Sequence, residues 1–441
     1  MEKDREALGL LFDHLDIGED GVLRIAGQDC AALAARYGTP LYIMDEDRIR
    51  ERCRSYLGAV RDAFGADGQV LFASKAASFK HIYEIMKEEG MGIDVVSCGE
   101  IRTALAAGYP LSKAYFHSNN KTDEDISYAM AHGVGTFVAD NEEELYAVEK
   151  EAMKRGVTQK VLLRLTPGID PHTFEAVATG RVDSKFGSAI ETGQAEQVVK
   201  EALALPHVRL TGFHCHVGSQ VFDSGIYLRA ADVMLSFIAE MKARLGYEAE
   251  ELDLGGSLGV RYVKTQPVLD YGSVIRSVGA FVREKCAGLG IRMPRVSFEP
   301  GRSIVADSGV TLYTAGTVKR IPGYKNYISV DGGMTDNVRY ALYGAPYTVL
   351  PATKMTEPRT MKASVVGRCC ESGDIIQEDV EMPASIRRGD LVAVLTTGAY
   401  NYSMASNYNR IPRPPVVMLK GGTSFEAVRR ETLDDLVRLD V

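Results

Sequence analysis

Between residues 70 and 300 the chain alternates short apolar runs with amphipathic stretches. The apolar runs predict strands at Val70–Ser74, Ile93–Ser97, Ala114–Ser118, Thr136–Asp140, Val161–Leu165, Leu210–His216, Glu251–Gly255 and Arg295–Glu299. Between them, apolar positions recur at helical spacing over Lys80–Glu89, Glu124–Ala131, Glu142–Lys154 and Ala230–Arg244. Eight βα units in about 230 residues fit a (β/α)8 TIM-type barrel better than an open, doubly wound sheet. Such barrels carry reactive groups at the C-terminal ends of their strands. Lys75, His117, Arg164, His216, Gly255 and Glu299 all fall at or near those predicted ends.

Past residue 307 the pattern changes. Val310–Val318, Asn326–Val330, Ala363–Val366, Asp374–Val380, Leu391–Thr396 and Pro415–Leu419 read as strands broken by Gly, Pro and Asp turns. The expected organisation is an α/β barrel over residues 36–306 and a second, mostly β domain over 307–441. A strand from residues 1–35, at Gly21–Ala26, is expected to join that β domain. Its sheet edges need covering, for which a second subunit is one candidate.

Composition narrows the function classes. The 441 residues are 45% hydrophobic and 25% charged, ordinary for a soluble globular protein. A formal net charge of −8 and the lack of any basic block argue against nucleic acid as a partner. No apolar run is long enough to span a membrane, and the N-terminus lacks the order of a secretory signal. Seven cysteines without C-x-x-C spacing suggest reduced thiols and a cytoplasmic location.

The candidate chemistry starts at Lys75, a single cation after the apolar run Val70–Ser74. Desolvation lowers a lysine's pKa, and a neutral amine can condense with an aldehyde. Alone, such a lysine is usually a solvated surface residue. Gly255-Gly256-Ser257 after the seventh predicted strand could let backbone N–H groups close on a phosphate, helped by a following helix N-terminus; a tight βα turn explains it equally well. Ser219 is a further phosphate donor or a plain loop serine. His214 and His216 share a strand face, as a metal pair, as an imidazole lying flat on a cofactor ring, or as core histidines. No set of further ligands at metal spacing accompanies them, so no metal is expected. Glu299 in Glu299-Pro300-Gly301-Arg302 can keep a pyridine nitrogen protonated, and Arg302 can grip a phosphate or carboxylate, unless the two form a structural ion pair. In Cys370-Glu371-Ser372-Gly373-Asp374 a thiol can deliver a proton and Glu371 can hold an ammonium; Cys369 alongside leaves the choice of thiol open, and a buried structural cysteine is the commoner case. Arg339, Tyr343 and Tyr400 suit an acidic substrate group, or are a surface arginine and core tyrosines.

Taken together, these motifs resemble the diaminopimelate decarboxylases, pyridoxal phosphate enzymes of the alanine-racemase-like group. The resemblance runs from Leu41-Tyr42-Ile43-Met44-Asp45 to Tyr408-Asn409. It is carried by Ala73-Ser74-Lys75-Ala76, Val96-Ser97-Cys98-Gly99-Glu100, His117-Ser118-Asn119-Asn120-Lys121, Ser184-Lys185-Phe186-Gly187, the segments His214 to Gln220 and Glu299 to Arg302, Asp331-Gly332-Gly333-Met334, Cys370 to Asp374, and Gly398-Ala399-Tyr400 with Ser403-Met404.

The resemblance implies decarboxylation of meso-2,6-diaminopimelate to L-lysine, the last step of bacterial-type lysine biosynthesis, with pyridoxal 5'-phosphate as cofactor. Lys75 would carry the cofactor, His216 stack on its ring and Glu299 meet its nitrogen. Ser219, Gly255, Gly256, Gly301, Arg302 and Tyr400 complete the expected cofactor set. Arg302, Arg339, Tyr343, Glu371 and Tyr400 are the expected substrate set, and Cys370 the expected proton donor. Cys370 and Glu371 would serve the partner subunit's site in a head-to-tail homodimer. Three positions depart from the family pattern: Ser257 where a third glycine is common, Phe174 in place of histidine, and Tyr340 in place of proline.

Overall fold

The computed structural model describes residues 2–170 and 180–441; the departure at Phe174 lies outside them. The chain divides into two compact units. One comprises Arg52–Gly259 and Leu269–Gly301, the other Met1–Glu51, Val260–Val268 and Arg302–Val441.

The first unit is a closed barrel of eight parallel strands, numbered in chain order: β1 (Gln69–Ala73), β2 (Gly92–Val95), β3 (Ala114–Phe116), β4 (Thr136–Ala139), β5 (Gln159–Thr166), β6 (Val208–His214), β7 (Glu251–Asp253) and β8 (Arg295–Phe298). Each pairs with the next, and β8 pairs with β1 to close the ring. The predicted strands are all present. Leu71, Tyr115, Val138 and Leu162, from four different strands, pack as one buried cluster and fill the interior.

Local chemistry sets the helices between the strands. Lys80–Glu89 ends at Gly90 in the left-handed conformation. Asp123–Ala131 opens on a capping box of Thr122 and Asp125. Glu142–Arg155 is capped by Asn141, carries Glu142, Glu143 and Glu144 in its first turn, and has Lys154 and Arg155 in its last, as the helix dipole favours. Gly225–Leu245 starts ahead of the predicted Ala230. Cys98–Ala106, Gln194–Ala204 and Tyr271–Leu289 are further helices that the periodicity did not single out.

The second unit is mostly β. Its long strand Gly309–Arg320 pairs antiparallel with Leu391–Leu395, with Leu41–Asp45 and with Asn326–Val330. Asn326–Val330 continues to Met361–Val366 and then Ile375–Met382. On the other side, Leu41–Asp45 pairs in parallel with Val416–Lys420, which pairs with Thr423–Val428. The N-terminal contribution differs from expectation. Leu23–Ile25 forms a strand, but in a small three-stranded sheet of its own. Leu41–Asp45 is the segment that enters the large sheet, so residues 36–51 group with the β unit rather than with the barrel. Every residue of Leu41–Asp45 is buried, as a strand flanked on both edges and both faces must be. Its Leu41 and Ile43 join a core with Leu15, Leu23, Leu312, Leu395 and Val417.

All seven cysteines are free thiols. Among the described residues no helix is long and apolar enough to cross a membrane. Ile43 is 0% exposed at the centre of the β core, whereas Val268 is 74% exposed. Ile43→Ala is expected to lower the unfolding free energy by about 3 kcal/mol in denaturant titration, and Val268→Ala by less than about 0.5 kcal/mol; equal effects would contradict this packing.

Candidate active site

At the C-terminal end of the barrel the strands deliver several polar side chains into a small space. Asp94 comes from β2, Arg164 from β5, His214 from β6 and Asp253 from β7. His117 follows β3 and Glu299 follows β8. All six are buried. Lys75 sits two residues beyond β1 and is exposed, although Val70–Ser74 before it and Ala76 and Ala77 after it are buried. Burial therefore does not desolvate this lysine in the way its sequence context suggests. Its charge acts instead on the groups around the barrel mouth: Asp94, Glu100, His214 and His216.

Glu299 is the focus of the cluster. His117 Nε2 lies 2.8 Å from Oε1, and His214 Nε2 lies 3.2 Å from Oε2. The two imidazoles meet edge to face, with ring centroids 4.9 Å apart. Burial works against a charge on Glu299. The charge and hydrogen bonds of the two histidines outweigh it and hold the carboxyl well below its usual range. The neighbouring carboxyls go the other way. Burial pushes Asp94 up to about 6, and burial together with Glu299 pushes Asp253 well above its ordinary value. The mouth thus concentrates its negative charge on one of three acids.

His214 meets His117 around Glu299. These three residues also form the one tight group among the described residues with metal-ligand chemistry, their ligand atoms all within 4.8 Å. The ion-pair contacts of both imidazoles with the carboxylate account for that closeness. Burial, and next the charge of Lys75, hold His216 neutral. Its Nδ1 accepts the Gly256 N–H at 3.3 Å.

The glycines after β7 have a steric reason. Gly255 has φ +67°, and a Cβ there would lie 2.7 Å from the Cys215 carbonyl oxygen; a Cβ on Gly256 would overlap the Glu299 carbonyl. The backbone donors of this turn have protein acceptors. Gly255 N–H donates to Asp253 and Ser257 N–H to the Tyr227 hydroxyl. No helix follows the turn directly, contrary to expectation; the next begins at Tyr271. Ser257, the departure from glycine, is 1% exposed, and its hydroxyl has no hydrogen-bond partner. Ser219 lies in the loop after β6, partly exposed.

The donor set suits a pyridoxal phosphate. A buried carboxylate held ionised matches a protonated ring nitrogen, and an amine stands at the mouth.

A second constellation lies within the β unit. Arg302 Nη1 donates to the Tyr262 hydroxyl at 2.8 Å, and its guanidinium sits 4.7 Å from the Tyr400 ring centre. The Arg339 guanidinium lies 5.1 Å from that ring and 5.2 Å from the ring of Tyr343. Both arginines are buried, and Arg339 Nε has no hydrogen-bond partner. Tyr400 holds φ +63°, a left-handed conformation that side-chain-bearing residues rarely adopt. Arg302, Arg339, Tyr343 and Tyr400 are thus brought together as expected. Tyr262, which orients Arg302, carried no signal in the sequence, and neither did the roles of Asp94 and His117. A lone carboxylate in the apolar run around Asp94 was the available clue. Tyr340 places its hydroxyl 3.1 Å from Glu378, which accommodates that departure. Cys370 and Glu371 occupy an exposed turn. Cys370 N–H donates to Asn409 there, and the Glu371 carboxylate accepts from Ser372 and Gly373.

Comparison with known proteins gives these constellations a kinship. The family described as "Pyridoxal-dependent decarboxylase, pyridoxal binding domain" matches residues 46–306. The diaminopimelate decarboxylase of Bacillus subtilis (strain 168) is 42% identical over 423 residues, covering 96% of each chain. That of Staphylococcus aureus (strain COL) is 40% identical over 419 residues, 95% of this chain and 97% of its own. The crystal structure of diaminopimelate decarboxylase from M. jannaschii in complex with L-lysine superimposes with a TM-score of 0.89 at 32% identity, covering 97% of this chain and 98% of that one. With identity at this level over nearly the whole of both chains, and the pyridoxal-binding domain spanning the barrel, the chain belongs to the diaminopimelate decarboxylase family of pyridoxal-dependent enzymes.

Proposed function

We propose that the protein removes CO2 from meso-2,6-diaminopimelate to give L-lysine, the last step of bacterial-type lysine biosynthesis, using pyridoxal 5'-phosphate. The observation that carries the choice of substrate is the buried arginine pair. Arg339 presents a desolvated Nε–H without an acceptor, beside the rings of Tyr343 and Tyr400, and Arg302 lies against the Tyr400 ring as well. An unpartnered buried donor is costly, and a substrate carboxylate satisfies it. Diaminopimelate carries a second carboxylate far from its reacting centre; ornithine and arginine carry only a cation there. The relative from M. jannaschii was solved with L-lysine, the product expected here.

Bound pyridoxal phosphate supplies an electron sink for the pair left behind when the carboxylate departs. The protein's side chains do the rest. Lys75 would hold the cofactor through its aldehyde. Glu299, kept ionised beside His117 and His214, would keep a proton on the ring nitrogen. His216, neutral, would stack on the ring. Ser219, Gly255, Gly256 and Gly301, with Arg302 and Tyr400, would complete the set that holds the cofactor. Arg302, Arg339, Tyr343 and Tyr400 grip the far, L-configured end of the substrate, so the D centre reacts and the L centre survives. Cys370 would hold the proton to be returned to the reacting carbon, and Glu371 would hold the far ammonium. Both residues are exposed on their turn in the single chain. We take them to serve the partner subunit of a head-to-tail homodimer. Reduced thiols and the absence of a membrane-spanning helix among the described residues support a cytoplasmic setting.

Borohydride reduction of the holoenzyme followed by peptide mapping is expected to label Lys75. Lys75→Ala is expected to abolish the label and lower kcat by about 10³-fold; a label elsewhere would contradict the assignment. Arg339→Ala is expected to cut kcat/KM for meso-diaminopimelate by about 100-fold, while leaving any turnover of ornithine nearly unchanged. Wild-type preference for ornithine would overturn the substrate. Because the Glu299 carboxyl is depressed, its charge persists until the pH falls well below the ordinary range of a glutamate. No loss of kcat assignable to Glu299 is therefore expected as the pH drops from about 8 to about 6, and Glu299→Gln should lower kcat by about 100-fold or more throughout that range. A neutral-range acid limb that disappears in Glu299→Gln would contradict the depressed pKa.

A further inference from the structure

Asp331-Gly332-Gly333-Met334, Asp374 and Asn409 belong to conspicuous segments of the sequence, yet the proposed reaction gives them no task. The structure gathers them around one turn. Asp374 is 3% exposed, and both of its carboxylate oxygens are engaged. Oδ1 accepts the Met334 N–H at 2.6 Å, and Oδ2 accepts the Cys369 N–H at 2.7 Å. Its backbone is engaged too: the Gly367 N–H donates to its carbonyl at 3.0 Å, and its own N–H donates to the Glu371 carbonyl at 3.2 Å. The next amide in the turn, Cys370 N–H, donates to Asn409 Oδ1 at 2.8 Å.

Two glycines make room for that carboxylate. A Cβ on Gly333 would lie 2.6 Å from both Asp374 oxygens, and one on Gly367 would overlap them. Gly333 also has φ +157°. The Gly332-Gly333-Met334 segment is held against the turn from its other side: Asp336 accepts the Gly333 N–H at 3.0 Å, and the Arg368 N–H donates to the Gly332 carbonyl at 2.9 Å. Asn409 has φ +52°, a left-handed conformation that asparagine and aspartate tolerate better than other side-chain-bearing residues. A buried acid therefore holds the base of the turn, and a surface amide holds its tip.

We infer that Asp374 and Asn409 clamp the turn and set where Cys370 and Glu371 stand, so both are positioning residues for proton return and for the grip on the substrate's ammonium. The inference rests on the proposed roles of Cys370 and Glu371. The physical reason is the cost of ordering an exposed turn: without fixed acceptors for its successive amides, the thiol samples many positions, and small misplacements of a catalytic group are expensive in rate.

The test uses Asn409→Ala, Asn409→Asp, Asp374→Asn and Cys370→Ser in the full-length holoenzyme, with melting temperature as the folding control. Asn409 is exposed, so its variants keep the test alive should Asp374→Asn fail to fold. Asn409→Ala and Asp374→Asn are expected to lower kcat by about 10-fold or more. Asn409→Asp, which keeps the acceptor oxygen and tolerates the left-handed backbone, should recover most of that loss. KM should change less than kcat in Asn409→Ala, because only the tip amide of the turn is released. Hydrogen–deuterium exchange on the cofactor-free protein gives a readout independent of catalysis. The Cys369 and Cys370 amides should be protected in wild type, Asn409→Ala should release Cys370, and Asp374→Asn should release Cys369. Unprotected amides in wild type, or wild-type kcat in a folded Asn409→Ala, would overturn the clamp. Full activity in Cys370→Ser would instead remove the proposed role of the thiol, and the exchange data would still decide whether the clamp exists.

Discussion

A buried carboxylate that keeps its charge is the constraint around which the barrel mouth is arranged. Burying an anion is costly, and an isolated acid in such a place gives up its charge by taking a proton. Asp94 and Asp253 follow that rule and are pushed up. Glu299 escapes it because two imidazoles from different strands converge on its two oxygens. That convergence needs β3, β6 and β8 to end at one level on one side of a closed ring, which a (β/α)8 barrel provides. Fold and charge state are thus one argument: the ring of strands places two donors where a single loop could not hold them. The result is three acids with pKa values spread apart, one of them suited to a ring nitrogen.

The β unit solves a different problem, that of holding two guanidinium groups away from water. Arg302 and Arg339 each lie against the Tyr400 ring, and the Tyr262 hydroxyl and the Tyr343 ring take the rest of their contacts. The positive φ of Tyr400 shows that the backbone bears strain to keep its ring there. Tyr347 packs edge to face on Tyr262 and lies 3.3 Å through its hydroxyl from Asn401, so the residue next to Tyr400 is tied into the same frame. A cationic pocket built this way has the chemistry to receive a carboxylate.

The barrel was legible because its strands are buried on both faces and read as continuous apolar runs. Helices were legible where apolar spacing was regular, as over Lys80–Glu89. Cys98–Ala106 escaped, although its Ser97 cap with Glu100 three residues on is a start signal in its own right. Leu41–Asp45 escaped assignment to the β unit because strand pairing across long sequence separation leaves no local mark; its partners, Gly309–Leu312 and Val416–Leu419, lie far along the chain. Site residues with strong chemical identity, Lys75, Glu299 and Arg302, stood out by motif. Roles that act through geometry did not: His117 was marked by its motif, but its meaning comes from Glu299, and that of Tyr262 from Arg302. The exposure of Lys75 was likewise unreadable, since it depends on how far the residues after β1 carry the amine beyond the apolar strand.

The most direct test is the protonation state that Glu299 is said to enforce. Nitrogen-15 NMR of the holoenzyme, reconstituted with cofactor labelled at its ring nitrogen, reads that state without turnover. A protonated nitrogen in wild type at neutral pH, lost in Glu299→Gln with the fold intact, is the expected result. An unprotonated nitrogen in wild type, or one indifferent to the substitution, would contradict the account.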